Sequence, residues 1–361
     1  MELPGFLRSL LSRDEAAAAS AQASSRTVEL PPDEIPVAGA SPFPFASHLK
    51  QHHGLPIADW EAVQRWLEES VPAAHRPSAW ADCERAWLQH FRAALGCGYH
   101  LEEGGTAAVL STLEPNVAKV TVQYMEKSLR RIVAALEGIA HVPEWGKDLL
   151  LVFDDQERYY EYVSYYYPES GEFAFSGGMH INMGCGHYVT VKDEMRAIEP
   201  TIVHEMTHGC LSHLPIPAWL NEGVAVNTER RFAGAQRGLY TPAQMQLKHR
   251  DFWGETEIQE FWSGKSFLRP DEGNMLSYDL ARVLVDFYSR DWDGFRAFTL
   301  EADRADSGGE AARRHLPVSL GAAACAVLER PASTHWEPAP AQWEGEPEKG
   351  AFRGFSSRAS N

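Results

Sequence analysis

The sequence predicts an α+β protein, in which a small mixed sheet packs on helices and a mainly helical lobe follows. Two observations indicate this class. Between residues 107 and 191, short apolar runs of strand character alternate with amphipathic segments of helical period. From about residue 194 to residue 300 the apolar residues keep helical spacing, so we expect helices throughout that stretch.

The first elements of the main domain follow each other closely. A strand-like run at 107–113 leads into Glu114-Pro115. Proline suits the first position of a helix, and the amphipathic spacing that follows predicts one long helix ending at Gly138. Residues 148–153 are then almost uniformly apolar, which predicts a buried strand.

Three more elements precede the helical lobe. The tyrosine-rich stretch 159–167 predicts a helix with an aromatic packing face, broken by Pro168. Residues 173–183 and 187–191 predict two strands, because a Gly-Cys-Gly turn separates them.

The two ends and the region before the sheet have different compositions. Residues 14–46 are rich in Ala, Ser and Pro, and we expect residues 1–46 to form a disordered arm or linker. The Pro- and Glu-rich residues 331–361 predict a disordered tail. Tryptophans and other apolar residues recur at helical spacing in 47–98, which predicts a helical pair. We expect one domain over 99–330, with a sheet lobe at 99–213 and a helical lobe at 214–330.

Composition also excludes several classes of function. The 361 residues carry 33 Lys and Arg against 50 Asp and Glu, a net charge of −17. Nucleic acids and anionic membrane surfaces require a positive footprint, so we expect neither as a partner. No apolar run reaches the roughly 18 residues of a membrane span, and no signal peptide is recognised. We therefore expect a cytoplasmic protein, with export by a non-Sec route left open and the oligomeric state undetermined.

One short segment carries metal chemistry. It is His204-Glu205-Met206-Thr207-His208, with the two histidines four residues apart. On a helix such residues differ by about 40° in direction, so both imidazoles can share one Zn²⁺ ion. A zinc ion lowers the pKa of its bound water, and Glu205 is placed to accept the proton as that water attacks a carbonyl.

A catalytic zinc needs a third protein ligand, and three possibilities follow in the sequence. His213 stands one position short of the third histidine in the longer H-E-x-x-H-x-x-G-x-x-H pattern, and no suitably spaced aspartate is present. Glu222 fits better, since Pro215 and Pro217 turn the chain and a second helix can return its carboxylate to the metal. Two histidines and one glutamate leave the fourth position open for water.

The chain resembles the gluzincin metallopeptidases, the clan of thermolysin and aminopeptidase N, in two segments. These are His204-Glu205-x-x-His208 and Trp219-Leu-Asn-Glu-Gly-x-Ala225. The spacing is more similar to the bacterial peptidase MA-like branch, and the similarity covers roughly residues 105–325. The resemblance implies a zincin-like fold, in which the sheet packs on the helix of the first segment. It also implies one Zn²⁺ ion, held by His204, His208 and Glu222, and a peptide or protein substrate.

Further roles are implied only by this resemblance. Relatives line the cleft with an edge strand, which matches Gly177-Gly178-Met179-His180 here. His180 stands where aminopeptidases have an amine-binding glutamate, so exopeptidase and endopeptidase activity both remain open. Tyr278 lies in the region of a tyrosine that stabilises the oxyanion. Glu229, two helical turns beyond Glu222, is expected to orient a ligand histidine.

The favoured hypothesis is a zinc metallopeptidase with Glu205 as general base. The alternative is an inactive zincin-like protein that binds a peptide or protein in the cleft without cutting it. A third interpretation, in which the two histidines only pack, predicts no bound metal.

Overall fold

The structure of the chain is a computed structural model that describes residues 30–142, 145–166, 178–181, 183–192, 198–234 and 240–343. The described residues form a mixed α+β protein, as the sequence predicts. Their contacts divide the chain into two compact units. The first unit consists of the described residues within Met1–Gln123, Glu144–Tyr166 and Val189–Glu199. The second consists of those within Tyr124–Pro143, Tyr167–Tyr188 and Pro200–Asn361.

The strands are β1 Leu49–His52, β2 Leu55–Ala58, β3 His100–Glu103, β4 Ala107–Ser111, β5 Asp148–Phe153, β6 Gly178–Ile181 and β7 His187–Val191. The helices of the first half are α1 Trp60–Ser70, α2 Arg76–Leu95, α3 Pro115–Ala135 and α4 Gln156–Tyr166. Those of the second half are α5 Ile198–Leu211, α6 Ala218–Phe232, α7 Pro242–Phe252, α8 Glu255–Ser263, α9 Glu272–Tyr288, α10 Trp292–Glu301, α11 Gly309–His315 and α12 Leu320–Val327.

The strands form a hairpin and a larger sheet. β1 and β2 pair antiparallel, and five strands pair in the order β3-β4-β5-β7-β6. β3 runs antiparallel to β4, whereas β4 and β5 run parallel, with Val109 opposite Leu150. The sheet is therefore mixed, and β6 lies at one end of the strand order.

Residues 47–98 contain more than the helical pair that their spacing predicts. α1 and α2 are present, but the β1–β2 hairpin precedes them. Trp87 of α2 is fully buried and donates its indole N–H to the Pro56 carbonyl of β2 at 3.0 Å. The hairpin is thus part of the same core as the helices.

Residues 30–46, expected to belong to a disordered arm, are packed in the first unit. Ile35 and Phe43 form an antiparallel bridge, with N–H to O distances of 2.8 and 3.0 Å between their main chains. Both side chains are buried, as is Phe45, whose ring lies 6.4 Å from that of Trp60. Isolated apolar residues between prolines leave no periodicity, yet Ile35, Phe43 and Phe45 are buried. Residues 1–29 lie outside the described part of the chain.

Residues 331–343, expected to begin a disordered tail, are packed in the second unit. Trp336 is buried, and its carbonyl accepts the indole N–H of Trp262 at 2.8 Å. Gln259 of α8 accepts the indole N–H of Trp343 at 3.1 Å. This end of the chain therefore completes the helical core, while residues 344–361 lie outside the described part.

None of the described helices combines the length and the apolar character that crossing a membrane requires.

The five cysteines are free thiols in contrasting environments, which gives a first testable expectation. Cys97 is exposed, whereas Cys83, Cys185, Cys210 and Cys325 are buried. Burial, reinforced by two neighbouring carboxylates, raises the pKa of Cys83 to about 12. Because the thiolate is the reactive form, a disulfide reagent at pH 8 should titrate one thiol rapidly in the folded protein and five after unfolding. Rapid titration of two or more thiols without unfolding would contradict this packing.

Candidate metal centre

The candidate centre begins with α5, which carries three of the predicted residues on two turns. Val203, Met206 and Thr207 are fully buried and fix one face of the helix. Thr207 also donates its hydroxyl to the Val203 carbonyl at 2.7 Å. The opposite face therefore presents His204 and His208 together, with their ring centroids 4.7 Å apart.

The next helix, α6, supplies Glu222. Trp219 and Leu220 are fully buried in its first turn, which anchors the start of the helix. Gly223 faces α9 so closely that a Cβ atom there would lie 2.6 Å from the Ala281 carbonyl oxygen. The glycine after Glu222 is thus required for the approach of two helices, and this approach sets where the Glu222 carboxylate stands.

Three lone-pair atoms converge between α5 and α6. The Nε2 atoms of His204 and His208 are 3.1 Å apart, and they lie 3.3 and 3.4 Å from Oε2 of Glu222. A tetrahedral zinc with bonds of about 2.05 Å spaces its ligand atoms about 3.3 Å apart. The spacing therefore fits one ion without rearrangement. Among the residues that the structure describes, this is the group of His, Cys, Asp and Glu side chains that could hold a metal.

The charges within this group support the same conclusion. Burial alone would lower the pKa values of both histidines, but the Glu222 carboxylate raises them above the usual range. Burial would likewise raise the pKa of Glu222, but the two imidazoles hold it well below its ordinary value. The cluster therefore favours a positive charge between its three atoms, which a proton or a divalent cation can supply.

Glu205 lies beside the cluster with one oxygen already bound. Its Oε2 atom accepts the main-chain N–H of His180, in β6, at 2.8 Å. Burial is the largest effect on this carboxyl and raises its pKa, although His204 and His208 oppose the shift. The β6 main chain thus orients the carboxylate beside the ligand cluster.

Tyr278 of α9 faces the same group of carboxylates. The charge of Glu222, burial and the charge of Glu205 together raise its pKa well above the ordinary value. Its ring packs edge-on against Phe267, with centroids 5.3 Å apart. The phenol therefore keeps its proton at neutral pH and can act as a hydrogen-bond donor.

Glu229 reaches the first histidine from the far end of α6. Its Oε2 atom lies 3.2 Å from Nδ1 of His204. When Nδ1–H donates to this carboxylate, the Nε2 lone pair of the neutral ring points at the other two ligand atoms. Glu229 therefore contacts the ring nitrogen of His204 that does not face Glu222.

The segment expected to line the cleft is only partly described. Gly177 lies outside the described residues, while Gly178, Met179 and His180 form β6. The His180 ring lies tilted against the Tyr188 ring, with centroids 4.9 Å apart, and burial lowers the pKa of His180 to about 3. Its imidazole is therefore neutral and packed, and its main-chain N–H is the group that contacts Glu205.

Two features of the site escaped the interpretation of the sequence. A Cβ atom on Gly209 would lie 2.5 Å from the Tyr188 hydroxyl, so a glycine directly after His208 lets β7 approach α5. The His180 amide contact with Glu205 joins residues 25 positions apart. A glycine inside a helix lowers the stability of the helix by about 1 kcal/mol relative to alanine. A glycine at position 209, within a predicted helix, could therefore have indicated a close contact there.

No protein-family model matches the chain, and a comparison with curated proteins finds no significant match. The assignment of function therefore depends on the geometry of the site.

Proposed function

We propose that this protein is a zinc-dependent peptidase with a zincin-like fold, in which His204, His208 and Glu222 bind one Zn²⁺ ion. The observation that carries the proposal is the convergence of three ligand atoms at 3.1 to 3.4 Å, with a second carboxylate, that of Glu205, oriented beside them. Two imidazole nitrogens and one carboxylate oxygen are a ligand set of catalytic zinc, which leaves one position open.

The bound ion would supply Lewis-acid activation of a water molecule and of the scissile carbonyl. The protein's own side chains supply proton transfer, stabilisation of the oxyanion and orientation of a ligand. Glu205 accepts the proton of the attacking water and passes it to the leaving amine, while the His180 N–H holds its other oxygen. Tyr278 donates its phenol proton as a hydrogen bond to the oxyanion that develops on the carbonyl. Glu229 keeps the His204 ring in the orientation that zinc binding requires.

Metal analysis combined with cleavage of an unbiased peptide mixture tests the proposal. We expect about one zinc ion per chain, and removal of the ion with a chelator should lower hydrolysis at least about 100-fold, with recovery on addition of Zn²⁺. A protein without bound zinc would contradict the proposal. Stoichiometric zinc with no cleavage of any peptide would favour the alternative, a cleft that binds a partner without cutting it.

A further inference from the structure

The contact between α6 and α9 holds a polar link that the site described above does not use. These two helices are the most extensively packed pair of elements among the described residues. At their interface, the side-chain amide of Asn227 donates to the Gly223 carbonyl at 2.9 Å and to the Arg282 carbonyl at 2.8 Å. Since both neighbours are carbonyl oxygens, the Nδ2 donors, and not the Oδ1 acceptor, must face them.

This amide joins the two helices next to the residues of the proposed site. Gly223 directly follows the metal ligand Glu222, and Arg282 lies one helical turn after Tyr278 on the same face of α9. The carbonyl of Arg282 belongs to α9, whereas the carbonyl of Gly223 belongs to the helix of Asn227 itself. The link therefore fixes the register of the Tyr278 helix relative to the Glu222 helix.

The apolar contacts at this interface hold the two helices close together. A Cβ on Gly223 would meet Ala281 and Val285, so the surfaces are already in close contact there. A hydrogen bond to one particular carbonyl adds a directional restraint against sliding along the helix axis. Asn227 supplies this directional contact.

We propose that Asn227 is a positioning residue, which holds Tyr278 at the correct height over the metal ligands by bonding α6 to the Arg282 carbonyl of α9. The inference rests on the proposed function for its effect on catalysis. The metal ligands lie on α5 and α6, so loss of the link should displace Tyr278 and leave the zinc site intact. A displacement of about 1 Å at a reacting group can lower a rate by up to about 100-fold.

The test uses Asn227→Leu, which removes both donors and keeps the same number of side-chain heavy atoms, and Asn227→Ala in case the first variant folds poorly. Thr228→Val is the matched control, because Thr228 is buried on the same helix and its hydroxyl donates within that helix, to the Val224 carbonyl at 2.8 Å. We expect kcat to fall about tenfold in the Asn227 variants, with KM and the zinc Kd within about threefold of wild type. The control should keep kcat within about twofold.

A double-substitution experiment separates positioning from general stability. In a Tyr278→Phe background, Asn227→Leu should change kcat by less than about twofold, because the group that it positions is already lost. Independent, multiplicative effects of the two substitutions would overturn the inference, as would loss of zinc from Asn227→Leu.

Hydrogen exchange gives a readout that does not depend on activity. Amides of α9 after Tyr278 should exchange at least about fivefold faster in Asn227→Leu than in wild type or Thr228→Val. Unchanged exchange in α9 would overturn the inference even for a protein that cleaves nothing. A further outcome is that the wild-type protein shows no zinc-dependent hydrolysis while the variants show this exchange pattern. That result would contradict the proposed function, but it would still support the role of Asn227 in linking the two helices.

Discussion

Glu205→Gln should abolish peptide hydrolysis while the protein keeps its zinc. The amide cannot accept the proton of the attacking water, so we expect kcat to fall by about 1,000-fold or more. The amide oxygen can still accept the His180 N–H, which at present bonds Glu205 Oε2 at 2.8 Å. Burial already disfavours the charged carboxylate, since it raises the pKa of Glu205, so the neutral variant should be at least as stable as wild type.

The measurements for this variant are kcat on a peptide cleaved by wild type, zinc content and the midpoint of thermal unfolding. Glu199→Gln is the matched control, because it removes a carboxylate from the first turn of the same helix, α5, five residues before His204. The control should keep kcat within about threefold of wild type. Full hydrolysis by Glu205→Gln would show that another group removes the proton and that the proposed mechanism is wrong.

The elements that the sequence predicts best are those with a continuous apolar signal. β5 occupies the predicted residues 148–153, because nearly every one of its side chains is buried and apolar. β1 and β3 escaped prediction because most of their residues are only half-buried or exposed. β2 contains Pro56, which lacks an N–H for the ladder and counts against a strand unless it lies at an edge.

In the candidate site, too, local sequence spacing predicts some features, whereas others depend on contacts between distant segments. The spacing of His204 and His208 defines their shared direction on any helix, so the local sequence was sufficient for this pair. Glu222 could be proposed because two prolines turn the chain before α6. The role of the His180 amide and of Asn227 depends on contacts with segments 25 and 55 residues away, for which a single sequence has no periodic signal.

The packing residues at the two chain ends show a related limit. Composition describes residues 30–46 and 331–343 as polar and proline-rich, yet Phe45 and Trp336 are buried. A single aromatic side chain can bury 150 to 250 Å² by a general estimate, which is enough to order a short segment without any repeat in the sequence. The average composition of a segment does not register such single buried aromatic residues. It therefore underestimates how much of the segment is ordered.

Gly223→Ala should destabilise the fold and the metal centre together. The added Cβ would lie 2.6 Å from the Ala281 carbonyl oxygen and 2.6 Å from Val285 Cγ2. A backbone carbonyl in the middle of α9 cannot move aside as the end of a flexible side chain can, so the helices must separate. Overpacking of this kind costs about 1 to 3 kcal/mol, against about 1 kcal/mol gained from the better helix propensity of alanine.

The separation should also reach the neighbouring ligand. Glu222 is adjacent to the substituted residue and its Oε2 atom lies 3.3 and 3.4 Å from the two histidine nitrogens, so we expect zinc to bind at least about tenfold more weakly. Urea unfolding and competition with a chelator measure the two effects. Gly309→Ala is the control in another helix, because its Cβ would meet its nearest atom at 3.8 Å, an ordinary contact. The free energy of unfolding of this control should be unchanged or slightly higher. If Gly223→Ala binds zinc as tightly as wild type does, the close approach of α6 and α9 does not set the position of Glu222.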